Sequence, residues 1–228
     1  MYDYLIKNGL IVDGSGKPAY RGDVAIKEGR IAAAGKADRE AAAQTIDAEG
    51  KVVSPGFIDI HSHYDCGIFA DAALESVLVQ GVTSVISGQC GDSRAPLMDQ
   101  MVDGFARWCA AGAAGAKVPY NWRSFGSFLD VVDSMHLGVN MGSLVGHSTL
   151  RLCAVGFDNR PAAPGEIDLM RSLASEALAE GALGLSTGLV YMPGMYADTD
   201  ELIQVCQALK PYKAPYMSHI RSESTELP

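Results

Sequence analysis

The sequence predicts an α/β fold, in which a small antiparallel β domain at residues 1–54 precedes a parallel sheet with helices at residues 55–228. Two observations predict this division. Up to residue 54, short β-rich runs such as YLIKNGLIVDG and GDVAIKEGRIAAAG alternate with glycine turns, which is typical of antiparallel hairpins. From residue 55, strand-length apolar runs alternate with helical stretches, which is typical of βαβ units.

The second domain begins with a strand in GFIDIH, a helix in FADAALESVLVQG and a strand in VTSVISGQCG. An insertion at about 92–137 carries two helical segments, and a third strand in GVNMGSLVGH follows it. The segment 165–181 has the helical spacing, early acidic residue and final glycine of a helix. The strands ALGLS and APYMSHI then flank a helix in DTDELIQVCQALKPY. The sequence therefore predicts about five strand-to-helix units.

Composition narrows the class of function. The chain has 27 acidic and 18 basic residues, a net charge of −9, and no basic patch, which argues against nucleic acid and membrane surfaces as partners. Its five cysteines are odd in number and contain no CxxC pair. The N-terminal residues contain no basic region before an apolar stretch, and no apolar run has membrane-spanning length. We therefore expect a cytoplasmic protein.

Candidate functional residues lie where the predicted strands end, which is where parallel α/β sheets gather their active sites. In HSH, His61 and His63 point to the same face of the extended chain. This pair is either two hydrogen-bonded histidines at a strand end or half of a metal site. Cys90 follows the next strand, and His219 ends the fifth. A free cysteine is usually a small buried hydrophobe, but beside HxH a thiolate ligand is the better interpretation. Nitrogen and thiolate donors of this kind suit Zn²⁺.

The remaining histidines and one acid receive smaller roles. His147 ends a strand in GHSTLR, and we expect it to fix a loop or support the ligands. His136 follows an amphipathic helix and is interpreted as a surface residue. Asp65, close behind HSH, is expected to be a loop residue or a residue that supports the ligands.

A rival chemistry is present in GLSTG, residues 184–188, which matches the GxSxG elbow of serine hydrolases with Ser186 as nucleophile. The elbow requires a strand before the serine and a helix directly after it. A strand is predicted before Ser186, but the following LVYMPGMYADT contains Pro193 and Gly194 and indicates a loop. A triad needs a histidine after Ser186, and of the histidines in this sequence His219 alone follows it. A serine hydrolase is therefore kept only as the alternative enzyme.

Several motifs together resemble one known family. The segment IKNGLIVDGSG, followed by PGFIDIHSHYD, resembles the start of the amidohydrolase superfamily. The motifs GVTSVISGQCG, LVGHSTLR, GALGLSTGLVYMPGMYA and YMSHIRSE resemble, in that order, the N-acyl-D-amino-acid deacylases, also called D-aminoacylases. The match runs through nearly the whole chain, which makes it far more specific than HxH alone.

The resemblance implies a TIM-like (β/α) barrel and zinc-dependent hydrolysis of the linear amide of an N-acyl-D-amino acid. It implies that one or two Zn²⁺ ions are held by His61, His63, the bridging Cys90 and His219. Tyr191 matches a tyrosine near the substrate carboxylate in the family, and packing under the loop is its alternative role. Gln89 stands where the family commonly has Asn, a change that adjusts the loop. The family's general-base aspartate and a further histidine follow later strands, so neither is expected within these residues.

Barrel length sets a further expectation. A complete TIM barrel typically has about 250 residues and eight βα units, so we expect the barrel to be incomplete in this chain. The remainder of the barrel, or a second chain, would then complete the fold. An inactive fragment, or a module that binds metal without turnover, is therefore the non-enzyme alternative. The side-chain specificity for the D-amino acid is not predicted.

Overall fold

The structure, a computed structural model, describes residues 1–38, 42–110 and 115–224. The chain divides into two units, Met1–Gly56 and Phe57–Pro228. Within the described ranges, no helix combines the length and the apolar character that crossing a membrane requires.

The described residues of the first unit form one five-stranded sheet. Its strands are β1 (Tyr2–Ile11), β2 (Tyr20–Lys27), β3 (Arg30–Gly35), β4 (Ala42–Asp47) and β5 (Val52–Val53). β2 is antiparallel to both β1 and β3. The turn between β2 and β3 contains Glu28 and Gly29, both with positive φ, which is the backbone geometry of a tight hairpin.

The prediction that this domain is antiparallel is correct for β1 to β3 and wrong for β4 and β5. Both of these strands pair with β1 in parallel, with Ile6 opposite Ile46 and Leu10 opposite Val52. Runs and turns indicate where strands begin and end, but they carry no information about the partner of each strand. Strand direction is therefore the part of this prediction that the pattern did not determine.

The second unit contains six strands in its described residues, and every strand pair is parallel. They are β6 (Phe57–Asp59), β7 (Val82–Ser87), β8 (Asn140–Ser143), β9 (Val145–Gly146), β10 (Leu185–Gly188) and β11 (Tyr216–His219). One sheet has the order β6, β7, β8, and the other has the order β9, β10, β11. A single residue, Leu144, separates β8 from β9, where one sheet ends and the other begins. Within each sheet the strands pair in chain order.

Helices connect these strands. They are α1 (Tyr64–Gly67), α2 (Glu75–Leu78), α3 (Val102–Cys109), α4 (Phe125–Ser134), α5 (His147–Ala154), α6 (Pro164–Ala179) and α7 (Thr199–Val205). Short 3₁₀ helices cover Asp99–Met101, Gly194–Tyr196 and Cys206–Tyr212. Between β7 and β8, the predicted insertion contains α3 and α4.

Helix α6 shows how the sequence specifies the packing of this unit. Its buried residues recur at helical spacing: Ile167, Met170, Ala174, Ala177 and Leu178. The Glu166 side chain accepts a hydrogen bond from the Ala163 backbone N–H at 2.6 Å, as a capping residue does. These buried side chains join one apolar core with strand residues such as Val85 and Leu185.

Two local predictions differ from the structure. In the predicted helix at 69–81, only Glu75–Leu78 is α-helical. The Asp71 side chain accepts hydrogen bonds from the N–H groups of Ala73 and Leu74, and Leu74 has φ +49°, so a local turn replaces the first part of the helix. The second difference is α5, which the sequence did not indicate. Its residues from His147 to Cys153 are all buried, polar and apolar alike, so the pattern of polar and apolar residues does not reveal the helix.

Candidate metal centre

The donor atoms of His61, His63 and Cys90 lie within 4.8 Å of one another. The Cys90 Sγ is 3.3 Å from the His61 Nε2, and the two imidazole rings are 5.6 Å apart between centroids. His61 and His63 follow β6, and Cys90 follows β7. The structure therefore brings together three of the four predicted ligands in the way that a shared cation requires.

Ser62 orients the two histidines. Ser62 stands between them in the sequence and is buried, and its backbone N–H donates to the carbonyl of Ile86 at 3.0 Å. Its hydroxyl lies 3.2 Å from that of Ser87. Because side chains alternate along an extended chain, anchoring Ser62 towards β7 directs His61 and His63 to the opposite side.

His219 joins the group through the same sulfur. Its Nδ1 lies 3.6 Å from the Cys90 Sγ, and its Nε2 lies 3.2 Å from an oxygen of Glu223. Since His219 ends β11, the thiol of Cys90 contacts one histidine beyond β6 and another at β11. The sulfur therefore lies within contact distance of imidazoles from two different strands.

The turn that carries Cys90 has an unfavourable backbone conformation that close packing holds in place. Cys90 has φ +56°, and the flanking Gly88 and Gly91 also have positive φ. A Cβ at Gly188 would lie 1.9 Å from the carbonyl oxygen of Cys90, so β10 approaches this turn as closely as glycine permits. The unusual conformation is therefore fixed by its surroundings and marks the turn as a functional candidate.

Ser186 supports this turn from β10. Its hydroxyl accepts a hydrogen bond from the Gly91 N–H at 3.0 Å and donates to the Gly88 carbonyl at 2.5 Å. Ser186 is completely buried, and α7 begins only at Thr199, so the helix that a nucleophile elbow requires is not adjacent. The geometry assigns Ser186 to holding the loop and does not support the predicted alternative of a serine nucleophile.

Gln89 provides a second support. Its side chain is almost fully buried and donates from Nε2 to the carbonyl of Ile60 at 2.8 Å. The same nitrogen lies 3.7 Å from the sulfur of Met217 in β11. Gln89 therefore ties the Cys90 turn to the residue before His61.

Burial raises the pKa of the Cys90 thiol, and the negative charge of Asp92 raises it further. A bound cation acts in the opposite direction because it stabilises the thiolate, so metal binding at this site would release a proton. Two imidazoles, a thiol and a third imidazole beside it are the donor types that Zn²⁺ prefers. The residues present therefore fit a zinc centre.

A cavity of about 310 Å³ opens beside these donors. The candidate ligands His63 and Cys90 line it together with the following residues: Asp65, Cys66, Asp92, Arg94, Trp108, Cys109 and Tyr191. Its wall is mixed, since aromatic and thiol groups stand next to two carboxylates and one guanidinium. A ligand in this cavity would lie directly against the candidate metal donors.

Tyr191 lies at the entrance to this site. Its ring is 5.0 Å from the His219 ring in an edge-to-face arrangement, and the residue is 47% exposed. An exposed hydroxyl-bearing ring beside a candidate ligand suits the predicted contact with substrate better than packing beneath a loop.

The sequence did not identify Arg94 or Asp92 as site residues. Burial raises the pKa of Asp92 to about 6, although the positive charge of Arg94 opposes this shift. Arg94 is 3% exposed and pairs with both Asp92 and Asp65. A charged pair after a glycine turn, GDSR, is the available signal, but charged residues in loops are ordinarily solvated.

Two other histidines lie elsewhere. His147 is completely buried, and its Nε2 is 2.9 Å from an oxygen of Glu201, so it joins two helices, α5 and α7, and does not fix a loop as expected. His136 is exposed, and its Nδ1 lies 3.3 Å from the carbonyl of Asp133. Asp65 lies in α1, directly after the candidate ligands, and pairs with Arg94, so the expected loop position is wrong and its support of the ligands stays a prediction.

Comparison with known proteins shows the family of the chain. A family model described as the amidohydrolase family matches residues 44–222. D-aminoacylase from Alcaligenes xylosoxydans xylosoxydans is 37% identical over 226 residues, which are 99% of this chain and 46% of that protein. N-acyl-D-aspartate deacylase from the same organism is 36% identical over 99% of this chain and 44% of its own length. The chain therefore spans about half the length of these curated relatives.

Solved structures match over the same extent. A crystal structure of D-aminoacylase superposes with a TM-score of 0.87 at 36% identity, covering 98% of this chain and 46% of that one. N-acyl-D-glutamate deacylase from Bordetella bronchiseptica, solved with zinc and a phosphonate inhibitor, matches with a TM-score of 0.86 at 33% identity, again over 98% and 46%. The predicted TIM-barrel type of fold is confirmed by these matches.

Proposed function

The chain belongs to the amidohydrolase family, and on this premise we propose that it supplies the metal-binding part of a zinc-dependent N-acyl-D-amino-acid deacylase. The observation that carries the proposal is the position of Cys90, whose sulfur lies 3.3 Å from His61 and 3.6 Å from His219. This arrangement brings donors from three parallel strands to one point. The relatives that act on N-acyl-D-amino acids support the substrate class.

The proposed reaction is hydrolysis of a linear amide. His61, His63, Cys90 and His219 hold one or two zinc ions, which when bound lower the pKa of water and polarise the scissile carbonyl. One relative is described as having a binuclear metal centre with one-metal activation and second-metal attenuation, which supports leaving the count at one or two. Tyr191 contacts the substrate from the entrance of the cavity.

The general base is proposed to be an aspartate that follows the last barrel strand, outside residues 1–228. Among the described residues, the three donors that lie within 4.8 Å of one another are two imidazoles and one thiol, and none of them is a carboxylate. Such a base must lie within hydrogen-bond reach of the attacking water. The extra length of the relatives leaves room for this aspartate and for a further histidine.

We also propose that further strands complete the barrel, either from a continuation of the chain or from a second chain. In the described residues, β6 and β11 each pair with one neighbouring strand. Phe57, Ile58 and Ile60 are about 60% exposed. An exposed apolar strand edge is normally covered in proteins of this class. If nothing covers it, the chain is a metal-binding module without turnover.

All five cysteines are free thiols, which supports the proposal of a cytoplasmic location. This location stays a prediction.

The decisive experiment measures carboxylate release from N-acetyl-D-methionine, N-acetyl-D-aspartate and N-acetyl-D-glutamate, with the L-enantiomers as matched controls. The deacylase proposal expects turnover of D-substrates that a chelator abolishes and Zn²⁺ restores, in this chain or in a form with the barrel completed. Zinc binding without turnover by residues 1–228 supports the incomplete-barrel proposal. Turnover that survives chelation and stops with a serine-reactive probe overturns the zinc mechanism.

A further inference from the structure

Arg94 connects the two loops that carry the candidate metal ligands. Its Nε lies 3.4 Å from an oxygen of Asp65, and its NH2 group pairs with a carboxylate oxygen of Asp92. Asp65 is two residues beyond His63, and Asp92 is two residues beyond Cys90. One guanidinium therefore joins the start of α1, directly after the HxH loop (residues 61–63), to the Cys90 turn (residues 88–92).

The position of Arg94 is itself fixed by the protein. The guanidinium lies over the ring of Phe105, 5.6 Å from its centroid. The backbone carbonyl of Arg94 accepts a hydrogen bond from the indole N–H of Trp122 at 2.7 Å. With 3% of Arg94 and 2% of Trp122 exposed, this support is a packed core and not a mobile surface. A rigidly held guanidinium can hold two loops at a set separation.

Charge argues against a different role for Arg94. A buried arginine next to a catalytic cavity is ordinarily a candidate receptor for a substrate carboxylate. Here its single positive charge already faces two carboxylates, and neither oxygen of Asp65 has a hydrogen-bond partner among the described residues. Releasing Arg94 to a substrate would leave Asp65 buried at 1% exposure without its countercharge.

We propose that Arg94 is a positioning residue that sets the separation of the HxH loop and the Cys90 turn by bridging Asp65 and Asp92, and that it does not bind the substrate carboxylate. This inference rests on the proposed metal centre and deepens it. A planar guanidinium meets two carboxylates at once, whereas the ammonium of a lysine is a single point charge. The bridge should therefore depend on arginine and not on positive charge alone.

The first test is a competition between the protein and a chromophoric chelator for Zn²⁺. Arg94→Met is expected to weaken zinc affinity roughly 10- to 100-fold, the range for residues that support metal ligands. Arg94→Lys is expected to restore part of this affinity. Asp65→Asn and Asp92→Asn should each weaken binding as well. The matched control is Arg171→Met, because Arg171 pairs with Asp168 on the exposed face of α6.

A second readout needs no metal and separates this inference from the zinc proposal. The N–H groups of Ser62, Gly91 and Asp92 hold the two loops by donating to the Ile86 carbonyl in β7, the Ser186 hydroxyl in β10 and the Gln89 carbonyl, respectively. Arg94→Met should accelerate hydrogen exchange at these amides in the metal-free protein, while α6 amides keep their protection. If the wild type binds no zinc, the metal proposal fails and exchange still decides the role of Arg94.

Three results would overturn the inference. The first is unchanged zinc affinity and unchanged exchange in Arg94→Met. The second is a rise in KM for N-acyl-D-amino acids with zinc affinity intact, which assigns Arg94 to the substrate carboxylate. The third applies if Arg94→Met fails to fold. Asp65→Asn and Asp92→Asn, if folded by circular dichroism, must then accelerate hydrogen exchange at the same amides. Unchanged exchange in these variants contradicts the bridge.

Discussion

The Sγ of Cys90 lies 3.3 Å from the Nε2 of His61, although 29 residues separate them along the chain. This contact exists because β6 and β7 are adjacent and parallel, so both residues emerge at the same end of the sheet. The contact joins two predictions made from separate motifs, HSH and SGQCG. The candidate site requires such a contact, because a shared cation needs a sulfur held at a fixed distance from imidazole nitrogens.

Replacing Cys90 by serine is expected to remove most zinc binding. A neutral hydroxyl is a far poorer zinc ligand than a thiolate, so the loss of affinity should exceed the roughly 10- to 100-fold loss seen for residues outside the ligand set. Zinc competition measures this change. Cys206→Ser is the matched control, because Cys206 is a partly buried free thiol in a different part of the unit. Equal zinc affinity in Cys90→Ser and the wild type would contradict the site.

Ser186→Ala is expected to destabilise the protein by about 1–3 kcal/mol, because the Gly91 N–H and the Gly88 carbonyl lose a buried partner. Zinc affinity should fall with it, since this hydroxyl holds the Cys90 turn. Urea unfolding measures the stability. Ser175→Ala on α6 is the control, because that partly buried hydroxyl bonds only to a carbonyl of its own helix in the described residues. Covalent labelling of Ser186 by a serine-reactive probe would refute this role.

Gly188→Ala tests the close approach of β10 to the Cys90 turn. The new Cβ would lie 1.9 Å from the Cys90 carbonyl oxygen, a backbone atom that cannot rotate away. We expect a loss of about 3 kcal/mol or more, together with weaker zinc binding. Gly165→Ala is the matched control, since nothing lies within 4 Å of its Cβ position and alanine favours helix by up to about 1 kcal/mol. Equal stability of the two variants would contradict this packing.

The local pattern was sufficient to predict where the parallel strands lie and which residues follow them. His61, Cys90 and His219 were placed at strand ends from apolar runs and turns, and the structure brings their side chains into contact. Their role as metal ligands stays a prediction. This success has a physical basis, because the carboxyl ends of parallel strands necessarily share one edge of the sheet.

What the sequence did not reveal depends on burial and on long-range pairing. The sequence around Arg94, GDSR, is typical of an exposed loop. Only the packing of Phe105 and Trp122 around Arg94 makes it a buried bridge. Helix α5 buries polar and apolar residues alike, so its residue pattern does not indicate a helix. In the first unit, the parallel pairing of β4 with β1 follows from the choice of partner strand, which no local pattern encodes.

The buried group of Glu201, His147 and Arg151 predicts a pH-dependent stability. Burial alone would raise the pKa of Glu201, but hydrogen bonds from His147 and Arg151 outweigh it and lower the pKa below its ordinary value. The carboxylate meets the His147 Nε2 at 2.9 Å and the Arg151 NH1 at 2.5 Å, and Glu201 is 2% exposed. Glu201→Gln leaves the charge of Arg151 buried without its partner, so we expect a loss of about 3–5 kcal/mol at neutral pH.

The sign of the pH effect follows from the lowered pKa. A carboxyl whose pKa is lower in the folded state stabilises fully above its unfolded pKa of about 4.3, and this contribution is lost as pH falls towards the folded pKa. The difference in unfolding free energy between wild type and Glu201→Gln should therefore be constant from about pH 7 to 5 and shrink below that. Urea unfolding across this range measures it, with Glu176→Gln on the exposed face of α6 expected within about 0.5 kcal/mol of wild type throughout. A difference that grows as pH falls would show that the charge of Glu201 does not stabilise the fold.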